Sequence, residues 1–183
     1  MESKKDIRKR VLDKRNLISN KEWEEKSHKI YEKVVTHPFF LEADAIYCYV
    51  DYRREVGTRA ILEYAWKLGK KVATPKVDGD TMEFYYVESF ENLQEGFKGI
   101  PEPTPKQLAC DENVLVIMPG TAFDATCNRI GYGKGYYDKY LHVHPKYKTI
   151  AIAFELQIVD KVPSDDYDIC PNMIITEENT YEQ

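Results

Sequence analysis

Gly131, Gly133 and Gly135 alternate within Phe123–Asp138, which reads Phe-Asp-Ala-Thr-Cys-Asn-Arg-Ile-Gly-Tyr-Gly-Lys-Gly-Tyr-Tyr-Asp. Glycine admits positive φ and carries no Cβ, so successive backbone N–H groups can converge on an anion at close range. Arg129 and Lys134 add fixed positive charge for the same anion. After Gly135, the residues Tyr136, Tyr137, Tyr140 and Leu141 have helical spacing, so the loop runs into a helix N-terminus whose dipole favours a phosphate. Asp138 falls in the first turn, where a carboxylate stabilises the helix and could hold Mg²⁺ bridging two phosphates. The pattern is neither a G-x-x-x-x-G-K-[ST] loop nor a G-x-G-x-x-G fingerprint, because Tyr136 stands where the third glycine would fall. A plain glycine turn packed by aromatics would need none of Arg129, Lys134 and Asp138. The segment therefore reads as the grip for a nucleoside triphosphate.

Something must position that loop. Ser3 to about Leu17 reads as a basic helix with a narrow stripe of Ile7, Val11 and Leu12. Ser19 or Asn20 can cap a second helix to about Thr36, which Pro38 ends. Ala45–Val50, Val114–Met118, Thr149–Phe154 and Met173–Thr176 are apolar runs that suit buried strands. Val56–Leu68 has helical spacing and Gly69 follows as its cap. Asp78-Gly79-Asp80 turns Lys71–Val77 back into Met82–Val87 as a hairpin. The prolines of residues 99–105 predict an extended loop without regular structure. Strands alternating with helices predict an α/β fold of three layers: a mainly parallel sheet with helices on both faces. Ligands of such sheets bind beyond the carboxyl ends of strands, and Val50 and Pro119-Gly120 lie at two such ends.

A chain of 183 residues suits one domain, taken as residues 1–183. Net charge is −5, so general nucleic-acid binding is disfavoured. Basic charge is nonetheless gathered at Lys4, Lys5, Arg8, Lys9, Arg10, Lys14 and Arg15. No apolar run reaches the ~20 residues of a membrane span, and the charged start lacks a signal-peptide core, so the expected location is the cytoplasm, with no membrane partner. Cys48, Cys110, Cys127 and Cys170 are far apart and fit reduced thiols better than a disulfide or zinc framework. His142 and His144 form an H-x-H pair with no evident third ligand. Nothing in the sequence sets the oligomeric state; a monomer is the simpler expectation.

Pro119-Gly120, Phe123-Asp124 and the run Asn128–Asp138 resemble the signature of the 5-formyltetrahydrofolate cyclo-ligase family. Lys4…Arg8, Arg54-Glu55-Val56-Gly57-Thr58, Thr74-Pro75-Lys76, Gly99–Pro103 and Val162-Pro163…Asp168…Ile174-Ile175-Thr176 follow in the order the resemblance requires, over nearly the whole chain. The resemblance implies the isomerase/CoA-transferase-like architecture. It also implies ATP-driven cyclisation of 5-formyltetrahydrofolate to 5,10-methenyltetrahydrofolate, with Mg²⁺, releasing ADP and phosphate. Phosphorylation turns the formyl oxygen into a good leaving group, so positioning and charge neutralisation carry the chemistry and no nucleophilic triad is required.

By the same resemblance, Lys4 and Arg8 contact ATP from one face of the first helix, with Lys5 competing for the place of Lys4. Arg129, Ile130, Gly131, Tyr132, Gly133, Lys134, Gly135, Tyr136 and Tyr137 form the nucleotide loop. Arg129 and Lys134 are its catalytic cations, and Asp138 sits on the metal. Val50 and Glu55 line the folate site, where a carboxylate can accept two parallel hydrogen bonds from the pterin. Tyr132 and Tyr136 either touch the substrate between pterin and phosphate or are core aromatics. Cys127 departs from the family's usual glycine, which would strain the turn if its φ is positive. Asn172 departs from a frequent Asp, so a second metal-side carboxylate is in doubt. Two other readings share these residues. One is a phosphosugar or CoA enzyme on the same fold without ATP hydrolysis; the other is a regulator that binds folate or nucleotide without turnover. ADP release dependent on 5-formyltetrahydrofolate separates them.

Overall fold

The structure is a computed structural model that describes residues 2–104 and 107–183. Its centre is a seven-stranded sheet in the order β11-β10-β9-β6-β1-β2-β3. The strands are β1 (Ala45–Cys48), β2 (Lys71–Asp78), β3 (Thr81–Tyr86), β6 (Val114–Met118), β9 (Lys148–Ile152), β10 (Met173–Ile175) and β11 (Thr180–Glu182). The inner strands are parallel, and β3 and β11 close the two edges antiparallel. Parallel strands are buried on both faces, which is why β1 and β6 read as unbroken apolar runs.

Alternate strand residues feed two cores. Ile46, Cys48, Leu115, Ile117, Ile150 and Ile152 meet α2 (Asn20–Val35) and α4 (Arg59–Lys67). Tyr47, Val116, Met118 and Ala151 meet Tyr140 and Leu141 of α5 (Tyr136–Val143) on the other face. Helices thus cover both faces, as the alternation predicts. A third, small cluster joins Ile7 and Val11 of α1 (Lys4–Asn16) to Ala122, Ile130 and Val162. It fastens α1 to the short antiparallel pair β7 (Ala122–Phe123) and β8 (Arg129–Ile130). Ser19 caps α2 with a reciprocal bond to Glu22, as its sequence suggests.

Several local expectations change. Pro38 does not merely end α2; it opens a short helix, α3 (Pro38–Glu42), because proline suits the first helical position. Helix α4 begins at Arg59 rather than Val56, since Asp51 Oδ1 accepts from both the N–H and the hydroxyl of Thr58 and holds 51–58 as a closed loop. The proline-rich segment is not wholly irregular. Residues Pro101–Pro103 (β5) pair with Leu93–Glu95 (β4) as a small flap, while Pro105 lies outside the described residues.

Cys127 adopts φ 66°, the left-handed conformation that costs a residue with a Cβ about 1–2 kcal/mol. Its thiol is buried and donates to Tyr181 O at 3.6 Å. Cys127→Gly removes the strain but also roughly 1 kcal/mol of packing, so it melts near wild type. Cys127→Ala keeps the strain and loses the thiol, so it is the less stable of the two. Urea titration of both variants reads the order, and the reverse order contradicts the strain argument.

Candidate functional site

In the sheet, β1 leads to β2 on one side, whereas β6 leads to β9 and β10 on the other. The chain therefore parts between the carboxyl ends of β1 and β6, the crevice where open α/β sheets bind ligands. The loop after β1 carries Val50 and Glu55, and the loop after β6 carries Pro119-Gly120 and leads through β7 and β8 into the glycine segment.

Asp124 builds that turn. Its carboxylate accepts from Thr126 N–H (3.0 Å), Thr126 hydroxyl (2.8 Å), Asn128 N–H (3.1 Å), Asn128 Nδ2 (3.0 Å) and Val162 N–H (2.9 Å). Burial pushes its pKa up, but these bonds, led by Asn128 and Val162, outweigh burial and hold it below the usual carboxylate range. Gln157 secures the other side, donating to Gly120 O and Thr121 O.

Gly133 (φ 99°) and Gly135 (φ 65°) use the left-handed freedom expected of them. Gly131 does not. A Cβ there would sit 3.0 Å from Arg129 Nη1, so the position is crowded by the guanidinium rather than set by positive φ. Arg129 is buried beneath the loop, with Nη2 paired to Asp138 Oδ1 at 2.9 Å and Nη1 towards Pro119 O at 3.5 Å. Asp138 Oδ1 also accepts from Ile169 N–H at 2.9 Å. Arg8 closes the loop from above: its Nε donates to Gly131 O at 2.9 Å, and a Cβ on Gly133 would lie 3.6 Å from its Nη2. Lys134 is exposed at the tip, with no hydrogen bond or ion pair among the described residues. Gly135 precedes α5 without a side-chain cap, so the first amides of the helix stay open towards the loop.

Lys4, not Lys5, faces the protein, but its ammonium bridges Asp165 (2.7 Å) and Asp168 (2.6 Å). Tyr132 is 51% exposed, yet its hydroxyl is fixed, donating to Glu55 Oε1 at 2.6 Å. Tyr136 turns away, donating to Gly79 O in the β2–β3 turn. Tyr137 packs against both cores beside Arg129, with a buried hydroxyl that has no partner among the described residues. Asn172 is a structural clamp at the amino ends of β9 and β10, opposite the crevice, where its Oδ1 accepts from the N–H and hydroxyl of Thr149.

Glu55 is buried, and Oε2 accepts from Tyr52 N–H at 2.7 Å. Burial raises its pKa, against the bonds from Tyr132 and Tyr52 and the charge of Arg15. Beside it opens a cavity of about 850 Å³, walled by Trp23 and Tyr31 of α2, Val50 and Thr58, and Phe90 and Pro101 of the flap region. Sequence reading did not single out this cleft, and it counted Arg15 only among the basic residues gathered in the first helix. Arg15 follows Ile7 and Val11 at helical spacing, so a cation standing in line with the apolar stripe was the signal that sets it apart from the other basic residues.

No group of three or more His, Cys, Asp or Glu among the described residues could cage a metal ion. Mg²⁺ seldom needs a protein cage, because it travels on phosphates with one or two carboxylates. The single carboxylate at this loop, Asp138, fits that mode, with Oδ1 already engaged. No helix of the described residues is long and apolar enough to cross a membrane.

Residues 1–177 match the 5-formyltetrahydrofolate cyclo-ligase family. The solved structure of a 5,10-methenyltetrahydrofolate synthetase from Aquifex aeolicus superposes with a TM-score of 0.86 at 32% identity, covering 98% of this chain and 92% of that one. The Mycoplasma pneumoniae synthetase gives a TM-score of 0.77 at 25% identity, covering 96% and 99%. A 5-formyltetrahydrofolate cyclo-ligase of Mus musculus is 27% identical over 195 residues, 97% of this chain and 95% of its own length. With the family's match running through the glycine loop, the Glu55 loop and α1, the chain is an enzyme that belongs to the 5-formyltetrahydrofolate cyclo-ligase family.

Proposed function

We propose that the chain cyclises 5-formyltetrahydrofolate by phosphorylating its formyl oxygen with ATP, and that residues 129–138 hold the triphosphate. The observation that carries this reading is the reach of two adjacent residues. Gly131 O meets Arg8 on the phosphate side, while the Tyr132 hydroxyl meets Glu55 on the folate side. One loop thus joins the two halves of the reaction.

The amides around Gly133 and Gly135 and the open end of α5 take phosphate oxygens. Lys134 covers them from solvent, and Arg129 supports them from beneath through a guanidinium fixed by Asp138. Arg8 closes the nucleotide in from α1, and Lys4 joins it by exchanging Asp165 and Asp168 for phosphate. Mg²⁺ would supply charge neutralisation on the phosphates, with Asp138 as the carboxylate of residues 129–138 that could hold it. Glu55 accepts from the pterin's N–H donors, and the folate's flat middle lies in the cleft that Val50 lines. The formyl oxygen attacks the γ-phosphorus and ADP departs. N10 then bonds to the activated carbon and gives up its proton, and the C–O bond breaks with its electron pair leaving on phosphate, which takes up that proton as the methenyl product forms. The walls of the cleft keep water from the activated carbon. Residues 1–183 act as one catalytic unit, since α1, β1, β8 and α5 all supply the same site.

Glu55→Gln tests the folate half. Titration is expected to show folate binding weakened by about tenfold or more, with MgATP binding changed far less; the reverse ordering misplaces Glu55. Stability moves the other way. A carboxyl whose folded pKa is raised contributes stability at low pH that is lost as pH climbs through the raised value. Glu55→Gln therefore melts above wild type at about pH 8, and the gap closes below about pH 3, where Glu55 is protonated in both states. A variant that melts lower at about pH 8 contradicts the burial argument.

A further inference from the structure

Arg15 ends the buried stripe of α1 and is only 3% exposed. Its Nε is buried without a hydrogen-bond partner among the described residues, and its Nη2 donates to the Tyr132 hydroxyl at 3.2 Å. A buried guanidinium served so sparsely is costly, because desolvation is not offset by hydrogen bonds. The anion that answers it is Glu55. The two form no direct ion pair. Tyr132 Oη stands between them, accepting from Arg15 and donating to Glu55 Oε1 at 2.6 Å. Arg15 thus shares with Glu55 a hydroxyl whose ring lies open to the crevice.

We infer that Arg15 is a positioning residue for folate: through the Tyr132 hydroxyl it orients the Glu55 carboxylate, without touching substrate. This rests on the assignment of Glu55 to the folate site. The groups that face Glu55 are Asp51 on its own loop, Tyr49 beyond the end of β1, Tyr132 on the glycine loop, Tyr137 of α5 and Arg15 of α1. Arg15 is the cation of that set, and Asp51 opposes it. Removing Arg15 frees the tyrosine hydroxyl to turn and leaves Glu55 easier to protonate. The same helix carries Arg8 to the nucleotide loop. A merely structural Arg15 would therefore disturb folate and ATP together when lost.

Steady-state kinetics of Arg15→Met, Arg15→Lys, Tyr132→Phe and Glu55→Gln, each with both substrates varied, tests the relay. Arg15→Met keeps the stem and removes the charge. It is expected to raise the folate KM about tenfold and the ATP KM less than about twofold. Its ratio of folate KM at about pH 6 to that at about pH 8 grows at least about threefold over wild type, and Arg15→Lys recovers part of that ratio. Tyr132→Phe removes one hydroxyl from an exposed ring, keeps the fold even if Arg15→Met does not, and reproduces the rise in folate KM. Equal rises in both KM values with an unchanged pH ratio overturn the proposal, as does wild-type folate KM in Tyr132→Phe. A wild-type folate KM in Glu55→Gln sinks the assignment of Glu55 itself. If instead Glu55→Gln raises it, adding Arg15→Met to Glu55→Gln is expected to raise it no further. A full second increment overturns the relay alone.

Discussion

Arg129→Ala is expected to lower turnover by about a thousandfold or more and to melt well below wild type. Two effects coincide because the guanidinium does two things. It is the fixed cation beneath the loop, and a Cβ on Gly131 would come within 3.0 Å of it. It is also the partner of Asp138, whose Oδ1 would be left with the Ile169 N–H alone. Removing one member of a buried pair costs about 3–5 kcal/mol, and less here because the Asp138 side chain is 20% exposed. Arg129→Ala assayed well below its melting range separates the effects. Circular dichroism shows the variant folded there, while methenyl formation, followed by near-ultraviolet absorbance, stays lost. A folded Arg129→Ala that keeps wild-type turnover would make Arg129 a structural brace and nothing more.

Lys134→Ala should show the opposite combination. The side chain is exposed and makes no contact that stability depends on among the described residues. Its loss therefore changes stability by less than about 0.5 kcal/mol. On the proposed function, turnover nonetheless falls by about a hundred- to a thousandfold, because the ammonium is proposed to fold over the bound triphosphate and neutralise the charge that develops on the transferring phosphoryl group. Lys134→Arg recovers only part, since a planar fork replaces a point charge.

The sheet was legible because parallel strands must be apolar on both faces, and Val114–Met118 and Ala45–Cys48 are. The glycine loop was legible because positive φ, cations and a following helix all leave marks in sequence. Short pairings left none: β8 is two residues long, and β5 holds two prolines that belong to an edge. Gly131 shows a subtler limit. The alternation suggests positive φ at all three glycines, yet Gly131 does not use it; what crowds that position is the Arg129 guanidinium beneath it. The partners of Lys4 lie some 160 residues away in Asp165 and Asp168, a pairing that no local pattern carries. Tyr136 and Tyr132 look alike in the motif. Only the fold turns one to the β2–β3 turn and the other to Glu55. The positive φ of Cys127, by contrast, was signalled by the resemblance, whose usual residue there is glycine, the type that fits without strain.

Calorimetric titration of MgATP into wild type and Lys134→Ala, with thermal melts run on the same samples, puts the triphosphate grip to the most direct test. The geometry predicts unchanged melting and affinity weaker by about thirtyfold or more, about 2 kcal/mol. Wild-type affinity in a fully folded Lys134→Ala would mean that the triphosphate lies somewhere other than the loop between β8 and α5.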